Sequence, residues 1–221
     1  MSAIVMIYIA YRSESHFVAF RTNFIVFTLI SIIAARSLYR VRRDSYERQL
    51  LLEESAEANR KLALFDALTE LPNRRSYEFK IAELKEARQA GKSRNAYIGM
   101  FDLNGLKKAN DTLGHEAGDK LIIGAAFALS EAFRGLGTVY RVGGDEFAGV
   151  FEMSDKELQD AMQRLVKLMD EWTQRNDMKL SIAYGFAGGE KCSLTIEEME
   201  AEADNAMYDN KKKYHDGERR V

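Results

Sequence analysis

The 221-residue chain contains one cysteine, Cys192, and one proline, Pro72. A lone thiol excludes an internal disulfide and suits a reducing cytoplasm. The lone proline marks a specific turn. Leu71-Pro72-Asn73 cannot continue a helix, because proline lacks the N–H and restricts its predecessor. An excess of one charge is also missing: 32 Lys+Arg stand against 34 Asp+Glu, for a net charge of −2. That balance gives no support for nucleic-acid binding. There is no low-complexity stretch and no internal repeat. The length allows one domain of about 150 residues plus an appendage.

What is present is unevenly distributed. Residues 22–35 (TNFIVFTLISIIAA) carry no charge. As a helix they span roughly 21 Å, short of the roughly 30 Å hydrocarbon core of a bilayer. Arg21 and Arg36 bound the run, and their long stems can snorkel. Extended to about 17–38, the segment can span. Arg36, Arg40, Arg42 and Arg43 follow, so the positive-inside rule puts the rest of the chain in the cytoplasm. A buried or interfacial helix is the plainer alternative, and a signal peptide fits worse, since no small-residue cleavage site follows. The apolar start, MSAIVMIYIAY, reads as the stub of an earlier helix in a larger membrane protein. The expected organisation is therefore a membrane-associated segment over 1–43, a connector over 44–65 and a soluble domain over 66–221.

In the connector, Leu51, Ser55, Ala58, Leu62 and Phe65 follow 4-3-4-3 spacing, which keeps one seam facing a partner helix. A parallel dimer contact is expected, against the alternative of a lone surface helix. From Arg74 onward, strands and helices alternate. Helices are expected over 74–90, 118–133, 154–175 and from Thr195 to the Lys211-Lys212-Lys213 run, and strands over 96–102, 138–142, 146–151 and 179–187. Thr195 with Glu198 forms a capping box. The fold class is α/β (α+β), with helices packed on one mixed sheet.

Two acidic places stand out. Asp102 closes the strand AYIGMFD, and Asp145-Glu146 follow Gly143-Gly144 in YRVGGDEFAGVF. Gly-Gly tolerates positive φ and Asp favours turns, so the second stretch is a hairpin turn. If the two strands are neighbours, three carboxylates converge and their repulsion calls for cations. Mg²⁺ suits oxygen ligands of this kind together with substrate phosphates. Asn104-Gly105-Leu106 then open a helix whose free N–H groups can cradle phosphate, with Lys107 adding positive charge. The spacing points to Mg²⁺-dependent nucleotide chemistry, while Asp102 taken alone could be a helix N-cap.

GGDEF at 143–147 matches the signature of the diguanylate cyclase (GGDEF domain) family, and it is not alone. DALTELPNR at 66–74, FDLNGLKKANDTLGHEAGDKL at 101–121, SIAYGFA at 181–187 and EADNAMYDNKK at 202–212 resemble the family's other motifs, in its order. The resemblance implies a fold like that of adenylyl cyclase catalytic domains and polymerase palms. It implies a homodimer that joins two GTP into cyclic di-GMP with release of two pyrophosphates, at the bacterial inner membrane with the catalytic domain in the cytoplasm. It assigns Mg²⁺ (or Mn²⁺) to Asp102, the Leu103 carbonyl and Glu146, with Asp145 completing the metal and catalytic cluster. It assigns close backbone approach to GTP to Gly143 and Gly144, guanine reading to Asn110 and Asp119, and phosphate neutralisation to Lys107 and Lys211. Each has an ordinary alternative: helix caps for Asn110 and Asp119, solvated charge for Lys107, a charged helix end for Lys211. His115 is read as structural.

The chain departs from the family in three places. Where many members carry an Arg-x-x-Asp product-inhibition site, this chain reads Arg134-Gly135-Leu136-Gly137, so weak or absent feedback inhibition is expected. Where an arginine often follows the Lys211 position by four residues stands His215, which is partly charged and lacks the bidentate fork. The sequence stops at Val221, where the family's final strand is usually longer. The competing readings are a non-catalytic GTP-binding regulator and a dimeric interaction scaffold.

Overall fold

The strand expected at 96–102 forms as β1 (Ala96–Leu103) and lies inside the sheet, as its unbroken apolar character demands. This computed structural model describes residues 3–90, 95–189 and 192–218. It divides into two units, residues 1–59 and 60–221.

The first unit is the body of α1 (Ala3–Leu64). The apolar start, the expected span and the connector are one continuous helix, because residues 3–64 contain neither glycine nor proline to break it. Within it, Arg21–Glu53 is long and apolar enough to cross a membrane by length and composition. Phe24, Ile25, Phe27, Ile30 and Ile33 are exposed. The hydroxyls of Thr22 and Thr28 donate to the carbonyls of Val18 (2.6 Å) and Phe24 (2.8 Å), so these polar groups are satisfied within the helix. Of the heptad positions, Leu51, Ser55, Leu62 and Phe65 are exposed; the side chain of Ala58 lies outside the described residues.

The second unit adds α2 (Arg74–Gln89), α3 (Leu106–Leu113), α4 (His115–Ala132), β2 (Gly137–Arg141), β3 (Glu146–Glu152), α5 (Asp155–Asn176), β4 (Ile182–Gly188) and α6 (Ile196–Glu218). The strand order is β2-β3-β1-β4. The expected α/β sheet flanked by helices is there, but its three ladders are all antiparallel rather than mixed. The chain path explains this. Helices α3 and α4 return the chain so that β2 runs in the direction of β1 without touching it, and the hairpin then reverses β3 into the space between them.

Alternation along the strands sorts side chains onto two faces. Tyr97, Phe101, Leu103, Phe147 and Phe151 pack on α4 and α5 with Leu129, Phe133 and Leu165. Ile98, Ala148, Val150 and Ala187 pack on α2 and α6 with Tyr77, Ile81, Met199 and Ala203. Tyr77 joins the two helices of this second face by donating to Glu200 Oε1 at 2.8 Å. Burial, then the Glu200 bond and charge, push its phenol pKa well up.

Helix α5 starts with the full Ser154–Glu157 capping box. Helix α6 starts with the expected pair, in which Thr195 N–H donates to Glu198 Oε2 (2.7 Å) and Glu198 N–H to Thr195 Oγ1 (3.2 Å). It does not end at the lysine run but continues to Glu218, since lysine is itself a good helix former. Helix α6 approaches β4 at Gly185, where an added Cβ would lie 2.1 Å from the Ala203 carbonyl oxygen and 2.3 Å from the Met207 nitrogen. Gly185→Val is expected to lower stability by about 1–3 kcal/mol, read as a lower urea midpoint; an unchanged midpoint would contradict the close approach.

Candidate active site

The end of β1 is clamped from both sides. Asp102 pairs in register with Glu146 of β3 and with Ala183 of β4. Residues directly opposite each other share a face, so Glu146 starts on the face of Asp102. Leu103 N–H donates to the Asp145 carbonyl and Asn104 N–H to the Ser181 carbonyl, each at 2.9 Å. Asn104 Nδ2 adds a bond to Ser181 Oγ at 3.1 Å. Its side chain therefore braces the strand ends, and its Oδ1 is buried without a partner among the described residues.

Asp102 is buried, with 4% of its surface exposed, and a cation meets it. Lys211, about two turns before the end of α6, donates Nζ to Oδ2 at 2.7 Å and stands 2.7 Å from Oδ1. Lys212 turns elsewhere, with Nζ 4.1 Å from the Tyr208 ring centroid and 3.8 Å from Asp209. Within the run of three lysines, Lys211 is thus more than a charged helix end. The side chain of His215 lies outside the described residues.

The turn between β2 and β3 is closed by Val142 N–H and Gly143 N–H, which donate to the Glu146 carbonyl at 3.0 and 3.2 Å. Neither Gly143 nor Gly144 has a left-handed φ, so positive φ is not the reason for this glycine pair. The reason at Gly143 is space: an added Cβ would come 2.5 Å from Glu146 Oε2. At Gly144 an added Cβ would meet nothing within 4 Å, and that side of the turn is open. The expected convergence of three carboxylates does not occur: among the described residues no group of three metal-ligating side chains forms. Glu146 turns its carboxylate back over Gly143, and Asp145 supplies its main-chain carbonyl to Leu103. Asp102 and Glu146 are brought together by register only.

Residues inside the quoted motifs that were given no role by sequence reasoning hold this turn and the segment behind it. Arg141 Nε donates to the Gly143 carbonyl (3.2 Å) and Nη2 to the Gly144 carbonyl (2.9 Å), while Nη1 donates to Asp66 Oδ1 (2.8 Å). Asp66 also accepts from Thr69 N–H (2.9 Å) and the Thr69 hydroxyl (2.7 Å). Burial pushes the Asp66 carboxyl up, but the Arg141 and Thr69 hydrogen bonds and the Arg141 charge outweigh it, and its pKa lies below the ordinary 3.8. Asn73 ties the same segment to the end of α1. Its Nδ2 donates to the Ala63 carbonyl (3.0 Å) and its N–H to the Leu64 carbonyl (2.9 Å), while its Oδ1 accepts from Ser76 N–H (3.2 Å) to cap α2. The signals for these roles were the Asp-x-x-Thr spacing of an Asx turn and an arginine two residues before the glycines.

The remaining expected residues line the entry to α3 and α4. Gly105 caps α3 with φ +77, and no side chain caps that helix. The N–H groups of its first turn are therefore not taken by a capping side chain. Leu106 packs against the core, and Lys107 is exposed. Gly118 makes room for Asn110, whose Oδ1 would lie 2.0 Å from a Cβ there. That contact sets Asn110 against the start of α4, one residue before the exposed Asp119. His115 is exposed at the first position of α4. Arg134 is exposed and pairs with Glu131. An added Cβ at Gly137 would lie 2.2 Å from the Val150 carbonyl oxygen.

Residues 63–216 match the family described as "Diguanylate cyclase, GGDEF domain". The chain belongs to the GGDEF domain family. It is 34% identical over 176 residues to the bifunctional diguanylate cyclase/cyclic di-GMP phosphodiesterase MucR of Pseudomonas aeruginosa, covering 76% of this chain and 25% of the relative. It is 33% identical over 176 residues to the diguanylate cyclase DgcN of Escherichia coli, covering 75% and 41%. The chain thus spans less than half of either relative's length. The fold matches the coiled coil and GGDEF domain of DgcB from Caulobacter crescentus, with a TM-score of 0.68 at 24% identity over 80% of this chain and 95% of that one.

Asp66→Asn should cost about 1.5–3 kcal/mol at neutral pH, the range for a hydrogen bond to a charged group. Because the folded pKa is depressed, this stability is full above the ordinary 3.8 and fades as pH falls below it. Urea unfolding of both proteins should show the gap closing in that acid range. A gap that persists there would contradict the assignment.

Proposed function

We propose that this chain is an active diguanylate cyclase, condensing two GTP into cyclic di-GMP and two pyrophosphates across a homodimer. The observation that carries this reading is Asp102: a buried carboxylate at a strand end, in register with a second acid and met by a cation. Such a position suits a hard cation with oxygen ligands, and the donor set fits Mg²⁺. Asp102, the Leu103 carbonyl and Glu146 would hold the ion, with the Glu146 carboxylate turning from Gly143 toward Asp102 and Asp145 completing the acidic cluster. When bound, the ion neutralises charge on the reacting phosphates.

The rest of the site binds and orients. The uncapped first turn of α3, after Asn104 and Gly105, receives phosphate at the N–H groups of Leu106 and Lys107, and the Lys107 side chain adds charge. Asn110 and Asp119 read the guanine edge. Gly144 leaves its side of the turn open to the nucleotide, and Gly143 leaves room for the Glu146 carboxylate beside it. The 3′-hydroxyl of one GTP attacks the α-phosphate of the other, breaking its bond to pyrophosphate. No protein nucleophile takes part, so rate comes from positioning and charge stabilisation. Each protomer carries one GTP, and the second protomer completes the site.

Residues 1–43 act as the membrane-associated segment, 44–65 as the connector that pairs two chains and 66–221 as the cytoplasmic catalytic domain. The exposed apolar side chains from Phe24 to Ile33, and Leu51 and Leu62 further along, support those two roles. Product feedback is weak in this reading. The crowding at Gly137 leaves no room for the aspartate of an inhibitory site, so Gly137→Asp should destabilise the domain rather than create feedback.

Incubating the full chain with GTP and Mg²⁺ should yield cyclic di-GMP by mass spectrometry. Glu146→Gln should reduce that yield by about 100-fold or more, as loss of a charge-stabilising group does. A dimer that binds GTP without product formation would contradict the reading and favour the non-catalytic regulator. Unchanged cellular effects of Glu146→Gln would favour the scaffold.

A further inference from the structure

We propose that Lys211 is an exchangeable counter-ion. It occupies the cation position of Asp102 before the metal arrives, and on loading it moves from the carboxylate to the substrate's phosphates. This rests on the metal and GTP reading given above. It adds that loading swaps one cation for another and never leaves Asp102 bare.

Three observations carry the proposal. The Lys211 ammonium straddles the Asp102 carboxylate, 2.7 Å from each oxygen, which is the space a metal ion would enter. Mg²⁺ binds its oxygens at about 2.0–2.1 Å, so an ion on either oxygen comes close enough to the ammonium for the two to repel strongly. The side chains also differ in freedom. Asp102 is fixed in the sheet with 6% of its side chain exposed, whereas Lys211 keeps 31%. The backbone of α6 is held against β4 at Gly185, so the movement belongs to the four-carbon lysine stem, whose rotors reach several positions from one Cα.

The exchange has a consequence for specificity. A divalent ion alone must displace a buried ion pair and leave Lys211 without an anion. A divalent ion arriving with a nucleotide supplies both a replacement cation for Asp102 and a new anion for Lys211. Metal and nucleotide therefore bind cooperatively, and the chain discriminates against metal alone. Because linkage is reciprocal, the nucleotide also binds more tightly with metal than without.

The test uses the full chain in detergent with Mn²⁺ as the probe, followed by the electron paramagnetic resonance signal of free Mn²⁺. Without nucleotide, Lys211→Met should bind Mn²⁺ about tenfold or more tighter than wild type, because a competing buried ion pair is gone. Lys211→Gln, measured beside it, should behave alike. With a non-hydrolysable GTP analogue, the cooperativity between Mn²⁺ and nucleotide should fall in both variants to the part that direct contact between metal and phosphate supplies. In the unaltered protein, acetylation of Lys211 measured by mass spectrometry should rise once Mn²⁺ alone is raised to the concentration at which the free-Mn²⁺ signal shows the site occupied. Equal or weaker Mn²⁺ binding in the variants, or a Lys211 whose labelling ignores Mn²⁺, overturns the proposal. If the variants gain Mn²⁺ affinity but the wild type makes no cyclic di-GMP, the cyclase reading fails and the exchange stands.

Discussion

A carboxylate withdrawn from water at the end of the central strand constrains everything around it. Asp102 cannot stay ionised and buried without positive charge close by, since the desolvation penalty of such a group is several kcal/mol. The fold meets that need from a distance in sequence. Helix α6 lies close on β4 because Gly185 carries no side chain, and this brings Lys211 to Asp102. The register of β1 with β3 then adds Glu146 opposite the same carboxylate. Charge and helix packing thus solve that problem together, while strand register sets a second acid opposite, and the result has the makings of a cation site.

The hairpin that carries the signature acids is held from behind. Arg141 takes the carbonyls of Gly143 and Gly144 with one part of its guanidinium and Asp66 with another. Asn73 joins that segment to the last carbonyls of α1. The end of the long helix and the turn that flanks the site are therefore linked by a short series of hydrogen bonds, with two planar side chains at its joints. The planar guanidinium fork fixes direction as well as distance, and all of these bonds lie within the second unit.

Much of this was legible in the sequence. The strand at β1, the hairpin, the capping box of α6 and the placement of Asp102 near Glu146 follow from local pattern and motif order. The direction of pairing was not, because the hairpin's insertion between β1 and β2 depends on where the α3–α4 return deposits the chain. The tolerance of Gly-Gly for positive φ goes unused at this turn, where Gly143 leaves room for the Glu146 side chain. Convergence of three carboxylates was also more than the chain delivers, since adjacent acids at a strand start cannot both share the face of Asp102. The roles of Arg141, Asp66 and Asn73 depend on partners far apart in sequence, for which spacing carries only half of each pair.

The central claim is that Asp102 and Glu146 act on one cation. A double-mutant cycle of Asp102→Asn and Glu146→Gln, read as Mn²⁺ affinity in the presence of a GTP analogue, tests it most directly. If both side chains hold the same ion, the double variant should lose clearly less than the sum of the single losses. Strictly additive losses would mean that the two acids do not share an ion, and the account would be wrong.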